Sequence, residues 1–173
     1  MNSIRFLCTG LLILSPALFA AETTIGQAIE KNGMEIGAVY LQPVEMEGMS
    51  ASNMNTDIHL ETDIHALANN PNGFGLGEWI PYLTITYHLS KKNSTWESEG
   101  TLMPMVANDG PHYGKNILLD GVGEYHLSFH ILPPSSNGFS RHMDKETGVA
   151  PWWAPIDVSW DFTYLGTGKK GGY

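Results

Sequence analysis

The sequence predicts an all-β protein, an immunoglobulin-like antiparallel β-sandwich, and three observations carry that reading. Apolar and polar residues alternate in several short runs, Gly, Pro, Asn and Asp cluster between the runs, and no segment carries the 3.6-residue period of an amphipathic helix. About seven short strands in roughly 150 residues, with turns between them, fit two packed antiparallel sheets.

Residues 1–20 read as a secretory signal peptide: Arg5 supplies the positive start, Phe6–Leu14 the apolar run, and Ala17 to Ala20 the small-residue exit. That run is too short for a bilayer, which needs about 20 apolar residues, and no later stretch approaches that length, so membrane insertion is not expected. The exported part, 21–173, has no internal repeat or linker and is expected to form one domain in the periplasm. Its first strand is Met34–Leu41 (MEIGAVYL), stopped by Pro43. Glu45–Asn55 follows as a polar loop with three thioethers, Met46, Met49 and Met54. Methionine is a soft ligand suited to copper, although methionines lying over an apolar surface are the commoner arrangement.

Thr56–Ala66 (TDIHLETDIHA) alternates without a break. With a period of two, Ile58, Leu60, Thr62, Ile64 and Ala66 share one face, and Asp57, His59, Glu61, Asp63 and His65 share the other. Alternation alone says only that the strand is half-buried; the second face is notable because it carries two imidazoles and three carboxylates, neighbours in the row being about 7 Å apart. Asn69–Gly77 is a turn-rich loop. Trp79–Ser90 alternates again, with Leu83, Ile85, Tyr87 and Leu89 on its apolar side. Thr95–Val106 is expected as one further strand with Pro104 at an edge, and Ala107–Tyr113 (ANDGPHY) as a rigid turn holding His112. Glu124–Leu132 turns Tyr125, Leu127, Phe129 and Ile131 inward, and Ile156–Tyr164 does the same with Ile156, Val158, Trp160, Phe162 and Tyr164. The loop 135–155 lies between these last two strands and contains Trp152 and Trp153.

Composition narrows the chemistry. The chain holds 9 Lys+Arg against 18 Asp+Glu. Loss of residues 1–20 removes Arg5 and no acid, which takes the net charge from −9 to −10 with His neutral. Such a surface repels phosphate backbones and attracts cations, so nucleic acid is not an expected partner. The only cysteine, Cys8, lies in the signal segment, so the exported domain offers neither a disulfide nor a thiolate. Cysteine-type zinc sites and the blue-copper centre are thereby excluded. There is no G-x-S-x-G nucleophile motif, and Glu61 with Asp63 is ordinary strand patterning, so no enzyme is expected.

Several residues remain as candidate metal ligands. His59 and Glu61 are two apart on one strand face, Met105 and His112 bracket the Asp-Gly-Pro turn, and His142 stands beside Met143 and Asp144. A mixed His, Met and carboxylate set suits copper, with partial tolerance for iron, manganese or zinc. From reference pKa values, about 6.5 for His and about 4.3 for Glu, protons should displace such a metal first at the imidazoles and only later at Glu61.

Four ordered motifs, TDIHLETDIHA, LMPMVANDGPHYG, YHLSFHI and RHMDKETGVAPWW, make the exported chain resemble a family of periplasmic iron-transport proteins of about 19 kDa, found beside iron permeases and related to a 34-kDa treponemal membrane antigen. The resemblance implies an immunoglobulin-like homodimer with a copper site near the subunit interface that also accepts iron-like or manganese ions. By motif, the implied ligands are His59, Glu61, Met105 and His112, together with a further histidine, His142 of HMDKETG or else His130 of FHI. An inner-membrane iron permease is the implied partner. The alternative is a periplasmic copper chaperone or buffer, for which the excess of methionine speaks. The dimer surface is expected to carry Trp152 and Trp153 or the TDIHLETDIHA strand.

Overall fold

The computed structural model describes residues 22–49 and 55–167, so the expected signal segment, Met54 and the last residues of the tail lie outside it. Two antiparallel sheets face one another. The first contains β1 (Thr23–Thr24), β2 (Ile29–Lys31), β3 (Met34–Leu41), β4 (Ile58–Ala66), β7 (Met103–Ala107) and β8 (Gly110–Ile117). Its order is β1-β3-β4-β8-β7, with β2 also paired to β3. The second sheet runs β10 (Ile156–Tyr164), β9 (Gly123–Leu132), β5 (Thr84–Lys91), β6 (Glu97–Thr101). This is the immunoglobulin-like sandwich that the alternating runs predict.

Period-two patterning fills the space between the sheets. Ile36, Leu60 and Ile64 from one sheet meet Ile85, Leu89, Leu127, Phe129 and Ile131 from the other, all fully buried. Trp160 on β10 closes the core, its indole N–H donating to the Gln27 carbonyl at 2.8 Å. Tyr113 crosses the interior from β8: its hydroxyl donates to the Ile80 carbonyl at 2.9 Å and accepts the Leu83 N–H at 3.0 Å.

Three expectations are corrected. Thr95–Val106 is two strands in different sheets. The buried Leu102 is the crossing point, with its N–H on the Ile85 carbonyl at 2.9 Å, so Glu97–Thr101 pairs with β5 and Met103–Ala107 with β8. Pro104 does fall on an edge strand, where a missing N–H is tolerated. The run from Trp79 becomes a strand only at Thr84, because Tyr82 takes a left-handed backbone (φ 61°) that a strand does not accommodate. The ANDGPHY turn is shorter than expected: Gly110 already pairs with Ala107, and His112 sits within β8.

Candidate metal centre

The candidate centre lies on the face of the first sheet that points away from the sandwich core. Strand β4 delivers His59 and Glu61 to that face, and β8, antiparallel beside it, sets Asn116 opposite His59 and Gly114 opposite Glu61. His112, two residues before Gly114, is therefore diagonal to Glu61, the distance at which long side chains still meet. Gly114 makes the meeting possible. A Cβ there would lie 2.5 Å from His59 Nε2, so the missing side chain is the space into which the imidazole turns.

The result is a compact donor set. His59 Nε2 and His112 Nε2 each stand 3.3 Å from Glu61 Oε1, and one ligand atom from each residue fits within 4.8 Å of the other two. All three residues are buried, His59 completely. Alternation alone left this face half-buried; the segment after β3, Val44–Glu47, lines the same cavity as Glu61 and His112. His59 Nδ1 is 2.7 Å from Asn116 Oδ1, while His59 Nε2 is buried without a hydrogen-bond partner. A buried imidazole nitrogen is costly to leave unpaired, and here it points at a carboxylate and a second imidazole, so the donor chemistry and the burial fit a metal ion of the His-and-carboxylate class.

Burial and neighbours distort the acid–base balance of the metal-free site. Burial first, then the Glu22, Asp63 and Asp109 carboxylates, push Glu61 up to about 8. Burial pulls His59 down to about 4, against the opposing effect of its hydrogen bond to Asn116 Oδ1, and the nearby His112 adds to the fall. The order expected from reference values is thus reversed, since the proton held near neutrality is on the carboxyl group.

Two cavities meet at Glu61 and His112. One, of about 960 Å³, is lined by the thioethers of Met46, Met103 and Met105 together with the acids Glu22, Glu45, Glu47 and Asp109. The other, of about 510 Å³, is acidic, with Glu22, Asp63 and Asp109 beside His65. Met105 is half-buried and faces His112 directly in the β7–β8 register. His142 and His130 are elsewhere. His142 is exposed in the loop before β10, with Nδ1 2.8 Å from Thr147 Oγ1. His130 points outward from the second sheet, 2.7 Å from Asp157 Oδ1. Within one chain neither joins the cluster formed among the described residues. Trp152 packs edge-on against Trp153, which itself packs on the core. Sequence reasoning had singled out neither Gly114, Asn116 nor Asp109; only the β4–β8 register identifies the first two.

A β-sandwich with two buried imidazoles converging on one carboxylate oxygen carries the donor set of a metal-binding protein. More specifically, the chain belongs to the Fe2+ transport protein family, whose sequence profile matches residues 19–166. A UPF0423 protein of Brucella abortus is 50% identical over 167 residues, covering 94% of this chain and 92% of the relative. The 34 kDa membrane antigen of Treponema pallidum is 39% identical over 147 residues, 81% of this chain and 72% of the antigen. Copper-reconstituted P19 of Campylobacter jejuni superposes with a TM-score of 0.82 at 54% identity, covering 86% of this chain and 99% of P19. A copper-bound variant of FetP from uropathogenic Escherichia coli strain F11 gives 0.81 at 54% identity, with coverages of 84% and 99%. No described helix is long and apolar enough to cross a membrane.

Proposed function

We propose that the protein is a non-enzymatic, periplasmic metal-binding component of high-affinity iron uptake, holding copper at His59, Glu61, Met105 and His112 and handing iron to an inner-membrane permease. The observation that carries the reading is the buried triangle of His59 Nε2, Glu61 Oε1 and His112 Nε2 with the His59 nitrogen left unpaired. Divalent affinities peak at copper, and the Met105 thioether alongside His112 biases the set further toward that metal. The copper-bound P19 and FetP structures support the choice, and a FetP structure from protein expressed in the bacterial periplasm supports the compartment. Iron, with manganese or zinc as stand-ins, is the cargo: the acidic cavity next to the triangle offers the hard oxygen donors that such ions favour.

A homodimer completes this reading. The single chain supplies two imidazoles, a carboxylate and a thioether, and His142, exposed in the loop before β10, is the histidine we assign to a second copy. His130, exposed on the second sheet, is the second candidate. Sedimentation of a monomer at micromolar concentration would remove the shared-ligand arrangement.

Deletion of the gene, followed by uptake of radiolabelled Fe(II) under iron limitation, tests the function. Uptake should fall and return with the wild-type gene but not with His112→Ala. Normal iron uptake together with copper sensitivity would replace the proposal by the copper-buffer alternative, to which the thioether-lined cavity would then belong.

A further inference from the structure

The Asn116 side-chain amide can be oriented from its surroundings. Its Oδ1 accepts the Val44 N–H at 3.2 Å, and its Nδ2 donates to the Val44 carbonyl at 2.8 Å. A backbone N–H only donates and a backbone carbonyl only accepts, so turning the amide over would set donor against donor and acceptor against acceptor. Oδ1 is therefore an acceptor in this place. His59 Nδ1 lies 2.7 Å from the same oxygen and must meet it as an N–H. In the neutral ring that leaves the lone pair on Nε2, the atom that is buried, lacks a partner and stands 3.3 Å from Glu61 Oε1.

We propose that Asn116 is a positioning residue for the metal site: it holds His59 in the Nδ1–H tautomer with the Nε2 lone pair facing Glu61 and His112, and through the same side chain it fastens the Val44 backbone, whose segment lines the cavity. The inference rests on the reading of His59 as a ligand. A hydrogen bond from the second ring nitrogen to an oxygen acceptor sets the orientation and basicity of metal-bound histidines generally. Here one amide serves three groups, and two of its bonds reach the segment that carries Met46 to the cavity wall. The position of this lining segment and the aim of the imidazole are thus tied together.

Long-range 1H–15N spectra of the full mature chain, metal-free and labelled at histidine, read the tautomer directly. The wild type should show a protonated Nδ1 and an unprotonated Nε2 at His59. Asn116→Asp, which keeps an acceptor, should retain that pattern, whereas Asn116→Leu should lose it and weaken Cu(II) binding roughly 10- to 100-fold, the usual cost of losing such a partner. The copper EPR signal should change in Asn116→Leu. A wild-type His59 protonated at Nε2 would overturn the proposal even if no variant folds, and so would an Asn116→Leu protein with unaltered tautomer, affinity and EPR signal. His59→Ala, titrated alongside, separates the two layers: undiminished copper binding there would refute the ligand assignment, while the metal-free spectra would still decide the role of Asn116.

Discussion

Met105 and His112 are direct partners across the β7–β8 hairpin, so a thioether and an imidazole are held side by side by backbone pairing. The intervening turn needs only Asn108 and Asp109, and Gly110 supplies an extended positive-φ residue (143°) where the chain re-enters the ladder. A hairpin fixes its register through turn and ladder together, which gives these two side chains a defined spacing before any metal arrives. It also carries Asp109 to the acidic cavity at the tip of the same hairpin.

Gly114→Ala tests how tightly the centre is built. The new Cβ would stand 2.5 Å from His59 Nε2, so either the imidazole moves or β8 does. Overpacking of this kind costs about 1–3 kcal/mol. Thermal unfolding should show the loss, and calorimetry should show weakened copper binding in the same variant. Unchanged affinity would mean that His59 is free to relocate without consequence.

Tyr113→Phe addresses the frame behind the site. Removal of the hydroxyl strands the Ile80 carbonyl and the Leu83 N–H in a fully buried region, at a cost of about 1–3 kcal/mol. Denaturant midpoints should fall while copper stoichiometry stays the same, because the hydroxyl is on the core side and the ligands are on the other face of the sheet.

The metal-free protein should lose stability between pH 6.5 and 8. Glu61, raised from 4.5 to about 8, keeps a proton in the folded state that the unfolded chain releases, so its contribution is present at low pH and declines as pH rises through that interval. His59, lowered from 6.5 to about 4, acts in the opposite sense, adding stability as pH rises from about 4 to 6.5. Below 6.5 the two oppose, and above it Glu61 is the one of the pair that still changes its proton count. The groups facing it are Glu22, Asp63, Asp109, His59 and His112, and the three acids reinforce its retention of the proton. Urea unfolding at pH 6.5 and 8 checks the sign. Copper binding near pH 7 should correspondingly release about one proton from Glu61, a release that disappears at higher pH, measurable by calorimetry in buffers of different ionisation enthalpy.

Period-two patterning made the sandwich readable: Met34–Leu41 and Ile156–Tyr164 have the expected limits, and the inward residues of β9 are those predicted. The switch of sheets at Leu102 was hidden because alternation is continuous across it, and only pairing partners distinguish two strands from one. The site was partly legible for the same reason. His59 and Glu61 share a face by local rules, and the Met105–His112 pair follows from a hairpin. The juxtaposition of β4 with β8, which makes Gly114 the gap and Asn116 the neighbour of His59, is a matter of register between strands separated by some fifty residues of sequence. The reversal of the Glu61 and His59 proton affinities depends on the burial of both side chains and on the acids gathered around Glu61, and reference pKa values carry no such information.

The most direct test of the central claim is a calorimetric titration of the metal-free mature protein with Cu(II), set beside His59→Ala and His112→Ala. The wild type should take up one ion per chain, and each variant should lose more than about 100-fold in affinity, beyond the cost of an outer partner. Variants that fold normally and bind one copper per chain as tightly as the wild type would contradict the His59, Glu61, His112 centre.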